Sequence, residues 1–239
     1  MNRTARFLDA RQLSLPLAHQ PALGREDFIV STCNTNAARL VDSWPGWKFG
    51  RAAAIIGPAG SGKSHLARAF VARAEAELLD ARVLAAATGQ IFGGRVKARV
   101  IEDVDRGVDE AALLNLFNAT IEADGFILLT ASIVAARWPF VLPDLVSRVR
   151  VIQMAEISEP DDTILPALFG KLFADRQLAV GAEALAYLVP RVERSFGAIH
   201  RIVDALDRAA LSGGRAITVP LIRAVLEDFG LAHDKAMKS

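Results

Sequence analysis

The sequence predicts an α/β protein: a five-stranded parallel sheet covered by helices, followed by a small all-α domain. Three observations carry the prediction. Short apolar runs alternate with helical patterns between residues 51 and 156, the rhythm of a parallel sheet. The first run, "RAAAIIG" (51–57), leads directly into "GPAGSGKS" (57–64), a glycine-rich turn before a helical pattern. From Pro160 onward the strand-like runs stop and only helical periodicity remains.

Taken in order, residues 1–22 contain Pro16 and Pro21 and no lasting periodicity, which predicts a mobile tail. Residues 23–157 form the predicted α/β domain and 158–239 the helical one. "RAAAIIG" suits a buried strand. "GKSHLARAFVARAEAE" (62–77) sets Leu66, Phe70 and Ala74 on one helical face. "ARVLAAAT" (81–88) and "KARVIEDVD" (97–105) read as two further strands. Only "GQIFGGRV" (89–96) joins them, which is short for a parallel crossover; either the crossover is unusually small or one strand is misplaced. "DEAALLNLFNATIEAD" (109–124) predicts an amphipathic helix with Asp109 as its N-cap. "GFILLTAS" (125–132) and "VRVIQMAE" (149–156) complete the five strands, and the later helices break near Gly181, Pro190 and Gly213-Gly214.

The composition excludes several classes. The 239 residues are 52% apolar and 23% charged, enough to bury a core. A net charge of +1 gives no global electrostatic case for nucleic acid or a membrane surface. Cys33 is the only cysteine, so no intramolecular disulfide can form; it reads as a small buried hydrophobe in a reducing compartment. No apolar run is long enough to span a membrane, and Asp9, Arg11 and Gln12 interrupt any signal-like segment, so a cytoplasmic location is expected.

The pattern G-x-x-x-x-G-K-S spans Gly57, Pro58, Ala59, Gly60, Ser61, Gly62, Lys63 and Ser64. Its chemistry follows from its residue types. Glycines let successive backbone N–H groups turn inward around phosphate oxygens. The helix N-terminus adds partial positive charge. Lys63 is placed to reach the β- and γ-phosphates, and the Ser64 hydroxyl to bind Mg²⁺. Such a loop needs an acidic partner on a nearby strand, and "ARVIEDVD" supplies Glu102, Asp103 and Asp105. Glu102 and Asp103 are the candidate metal-side pair, with Asp103 the catalytic candidate. The usual order is Asp followed by Asp or Glu, so the longer Glu102 would meet a metal from a different position.

On these residues the chain resembles the AAA+ ATPases of the DnaA clade, and within them the Hda-like regulators of replication initiation. The resemblance spans nearly the whole chain and implies an AAA+ P-loop core with a helical lid, and ADP or ATP with Mg²⁺ as ligands. "EDFIVSTCN" (26–34) resembles the clade's lead-in segment, which implies Phe28, Ile29, Val30 and Asn34 at the base. "LLTAS" (128–132) resembles the sensor I segment and implies Thr130 or Ser132 near the γ-phosphate. "LPDLVSRV" (142–149) resembles the family's arginine-finger segment and implies that Arg148 acts in trans on a neighbour's nucleotide. The family's sensor II arginine aligns with Gly197, leaving Arg194 one turn earlier and Arg201 about one turn later as candidates. Own hydrolysis is therefore expected to be weak at most.

The apolar tail peptide "QLSLPL", Gln12-Leu13-Ser14-Leu15-Pro16-Leu17, resembles the family's tether to the DNA polymerase sliding clamp. Read from its residues alone it could equally fold back on its own domain. As given, the sequence leaves no room after "LIRAVLEDFG" for DnaA's DNA-binding domain, so direct sequence-specific DNA binding is not expected. The resemblance implies an adaptor that stimulates ATP hydrolysis by DnaA while held on the clamp, with homo-oligomers also possible in this family. The competing expectation is an AAA+ helicase loader or remodelling ATPase. The sequence does not choose between ADP and ATP.

Overall fold

The computed structural model describes residues 24–47, 50–84, 96–213 and 216–230. The tail peptide Gln12–Leu17 and most of "GQIFGGRV" lie outside the described residues.

Five parallel strands form one sheet in the order β2-β3-β4-β1-β5. They are β1 (Ala52–Ile56), β2 (Glu77–Asp80), β3 (Ala98–Glu102), β4 (Phe126–Ala131) and β5 (Gln153–Glu156). Strand β1 is buried along its whole length and alternates between two cores. Ala53 and Ile55 face a core with Leu66 and Phe70 of α2 (Lys63–Ala74) and with Ala37 and Leu40 of α1 (Thr35–Asp42). Ala52 and Ala54 face the opposite core with Leu113, Leu116 and Phe117 of α3 (Glu110–Glu122) and Leu145 of α4 (Pro143–Val149). Burial on both faces explains why the strand reads as a continuous apolar run.

Local chemistry sets the element ends. Asp109 caps α3, its carboxylate accepting from the Ala112 N–H at 2.9 Å. Pro143 begins α4 where its missing N–H has no partner to lose. The described helices include none long and apolar enough to cross a membrane.

Two expected strands shift. The second lies at 77–80, and of the expected 81–88 the described part, 81–84, is not strand. Asp80 accepts from the Arg82 N–H at 2.9 Å and turns the chain into a short 3-10 helix, which stops the strand. Its register is held by Glu77 opposite Arg99 of β3. Arg99 is 3% exposed, and it also donates to the Thr120 hydroxyl of α3 at 2.7 Å. A buried guanidinium needs such partners, so this pair marks where β2 must sit. β2 and β3 are then separated by residues 81–97, a length that meets the usual need of a parallel crossover. The fifth strand begins at Gln153, not 149, because α4 continues through Val149.

The helical domain consists of α5 (Leu165–Ala174), α6 (Ala182–Leu188), α7 (Phe196–Gly213) and α8 (Val219–Asp228). Ile199, Ile202, Val203 and Leu206 form the inward stripe of α7 against Phe169, Phe173, Leu188 and Ile222. A backbone bridge from Val180 to Ile217 joins the segment after α5 to the one before α8.

Candidate functional site

The loop 57–62 leaves the carboxyl end of β1 at the sheet edge where α/β proteins bind ligands. Gly57 N–H donates to Ala131 O of β4 at 3.1 Å, and Ile157 N–H donates to Ile56 O at 2.7 Å, so neighbouring strands brace the loop on both sides. Gly60 and Gly62 have φ of +78° and +93°. A Cβ on Gly62 would lie 2.9 Å from the Phe28 ring, and one on Gly60 would lie 2.7 Å from the His200 ring. Conformation and contact both demand glycine there.

Lys63 is buried, and its ammonium donates to Gly57 O at 2.7 Å and Pro58 O at 3.0 Å. Burial pulls this ammonium below the usual lysine range, with Asp103 the largest opposing influence. The Ser61 hydroxyl is buried without a hydrogen-bond partner among the described residues. Ser64 is exposed at the first turn of α2, while Pro58 and Ala59 form the outer rim of the loop. Backbone turns that only glycine can make, a buried cation and an unpartnered hydroxyl together fit a polyphosphate.

The acidic residues cluster at the ends of β3 and β4. Asp103 takes the left-handed conformation, φ +55°, and its N–H donates to the Thr130 hydroxyl at 3.1 Å. Thr130 is thereby engaged in holding the acidic turn. Asp105 accepts from the N–H groups of Ser132 and Ile133 at 2.8 and 3.2 Å. Ser132 also receives Arg106 at 3.4 Å, and Arg106 lies 3.6 Å from Asp103. One oxygen of Glu102 is buried with no partner among the described residues. No group of three or more His, Cys, Asp or Glu gathers as a metal cage among the described residues. A divalent ion here would be held by Ser64, Glu102 or Asp103 together with phosphate oxygens, the usual arrangement for Mg²⁺.

A cavity of about 210 Å³ opens beside Gly60–Gly62, between the sheet domain and the lid. Phe28, Ile29 and Asn34, the residues expected at the base, line it. Asn34 is 2% exposed and ties the lead-in segment together, accepting from Ser31 N–H and donating to Ile29 O, both at 2.9 Å. Val30 does not line the cavity; it is 46% exposed. The lid supplies a wall that sequence reasoning missed: Ile164, Leu168 and Leu172 at four-residue spacing, the Lys171–Asp175 pair, Phe196 and His200. In the sequence that spacing read only as helical periodicity.

The lid residue that meets the phosphate loop is His200, whose Nε2 lies 3.2 Å from Gly60 O. Gly197 lies one turn away, with Arg201 packed beside it. Arg194 is paired with Asp162 at 2.9 Å and does not line the cavity. Helix register decides which residue of "SFGAIHR" faces the loop, and spacing in the sequence alone did not show it.

With this geometry in place, comparison with known proteins gives a consistent result. Residues 169–226 match the family described as Hda, lid domain. Domain III of the replication initiation protein DnaA from Thermotoga maritima has a similar structure. Its TM-score is 0.72 at 20% identity, over 88% of this chain and 98% of that one. AMPPCP-bound DnaA from Aquifex aeolicus gives 0.65 at 20% identity, over 82% and 68%. An uncharacterised protein of Haemophilus influenzae is 25% identical over 185 residues, 72% of this chain and 80% of its own. The lid thus matches the Hda lid family, and the chain as a whole has the fold of DnaA domain III.

Arg148 lies on α4 at the edge of a separate surface pocket with Leu114, Asn118 and Val151, which includes no residue of the loop 57–64. Its guanidinium lies 5.6 Å from the centroid of Phe117. Among the described residues no carboxylate pairs with it.

Proposed function

We propose that this Hda-like protein is a nucleotide-bound regulator of replication initiation that presents Arg148 to the ATP held by DnaA and stimulates its hydrolysis. The observation that carries this reading is the state of Arg148: half-buried, stacked on Phe117 and without a carboxylate partner among the described residues. A guanidinium already paired within its own chain would have to give up that partner before it could neutralise charge on another chain's γ-phosphate.

The protein's own site holds a nucleotide. Loop amides and Lys63 bind its phosphates, Phe28 and Ile29 meet the base, and His200 contacts the phosphate side from the lid. Bound Mg²⁺, carried by Ser64 with Glu102 and Asp103, would neutralise phosphate charge. Thr130 holds the acidic turn, and Ser132 stands beside it. The Gln12–Leu17 peptide docks on the sliding clamp, glutamine in a polar pocket and leucines in an apolar groove, bringing Arg148 to DNA-bound DnaA.

The test follows ADP formation by ATP-loaded DnaA, with and without clamp on DNA. Stimulation should require this protein and clamp together. Arg148→Ala should remove it, by roughly 10³-fold or more, while clamp binding persists. Turnover by this protein alone, equal to that of the mixture, would identify a motor ATPase instead.

A further inference from the structure

The cavity beside the phosphate loop is walled largely by apolar groups such as Phe28, Leu168 and Leu172, yet it includes one ion pair. Lys171 Nζ lies 3.1 Å from both carboxylate oxygens of Asp175, with side-chain exposures of 20% and 18%. The stability of α5 does not account for this pair. Asp175 stands at the helix C-terminus, where the dipole disfavours a carboxylate. Lysine preceding acid is the poorer order for an i, i+4 pair. Partial burial also costs both ions hydration. In an apolar pocket, one such polar feature fixes the orientation and identity of a ligand.

We propose that Lys171 and Asp175 read the polar edge of the nucleotide base. This rests on the nucleotide reading of the site given above. The Asp175 carboxylate accepts an N–H of an exocyclic amine, and the Lys171 ammonium donates to the adjacent ring nitrogen. Adenine offers that arrangement, an amine beside an acceptor nitrogen. A purine lacking the amine leaves Asp175 with one fewer donor inside a partly dry cavity. The lid thus selects the base, while the loop and Lys63 hold the phosphates.

The experiment is calorimetric titration of the full chain with ADP and with purine riboside 5′-diphosphate, which lacks only the amine. The wild type should bind ADP about 10-fold more tightly, the worth of one charge-assisted hydrogen bond. Asp175→Ala should weaken ADP to the level of the analogue and change the analogue less than about 2-fold. Asp175→Asn keeps the volume and removes the charge, so it should narrow the preference to a few-fold even if the alanine variant folds poorly. A preference that survives both variants overturns the proposal. So does equal weakening of both nucleotides, which would place the pair on the ribose or in lid packing. Failure of the wild type to bind either nucleotide would instead overturn the nucleotide reading itself.

Discussion

Lys63→Met probes the phosphate loop most directly. The lysine is buried and holds two loop carbonyls, Gly57 O and Pro58 O. Methionine keeps the apolar stem and drops the charge. A charge-assisted hydrogen bond contributes about 1.5–3 kcal/mol, so its loss weakens ADP binding by up to about 100-fold. At ADP equal to about 100 times the wild-type Kd, bound nucleotide stabilises the folded protein by about 2.7 kcal/mol. With Kd raised about 100-fold, the same ADP contributes only about 0.4 kcal/mol. In a chain of this size about 1 kcal/mol moves Tm by roughly 2–4 °C, so an ADP shift of about 5–11 °C falls to about 1–2 °C. The ligand-free Tm should move little, because losing two hydrogen bonds is offset by removing an ammonium that burial already disfavours. Thermal unfolding with and without ADP reads both quantities. An undiminished ADP shift would refute the placement of Lys63 at the phosphates. A ligand-free Tm that drops as far as the lost shift would make the lysine a structural element.

Gly62→Ala forces a side chain into the left-handed region at φ +93° and into the Phe28 ring at 2.9 Å. It should cost about 1–2 kcal/mol from backbone strain alone and abolish the ADP shift, and a variant with wild-type Tm would contradict this. Asn34→Ala strips Ser31 N–H and Ile29 O of their partner and should cost about 2–3 kcal/mol, whereas Val30→Ser at an exposed position should stay within about 0.5 kcal/mol. Equal losses in denaturant titrations of the two would show that burial does not separate them. The Asp161 carboxylate accepts from the Thr163 and Thr32 hydroxyls and lies well below the usual aspartate range. Because its folded value is depressed, the stability it adds is present above the ordinary value of 3.8 and lost as pH falls below it. Asp161→Asn should therefore flatten the acid limb of Tm against pH, and parallel curves for the two proteins would refute the assignment.

Much of the α/β domain was legible because its signals are local. The loop "GPAGSGKS", the cap at Asp109 and the runs around Ile55 and Leu128 each declare themselves within a few residues. The misplaced second strand shows the limit. "ARVLAAAT" is more apolar than "ELLD", yet the strand is "ELLD", because Glu77 answers a buried arginine 22 residues away. Apolar content measures burial; it does not report the partner that a buried charge requires.

The candidate site divides the same way. The sequence by itself determined the glycine-rich loop 57–64, since the residues that shape it are consecutive. It also determined the acidic strand end and the arginine-bearing segment around Arg148. Only the tertiary structure decided which lid residues face the cavity beside residues 60–62. His200 rather than Gly197 or Arg194 meets Gly60, and Lys171 and Asp175 enter the cavity wall, because of the register at which two lid helices dock on the loop. That register depends on how Phe169, Phe173 and Ile199 pack within the lid, a property of surfaces far apart in the chain that no single stretch of it encodes.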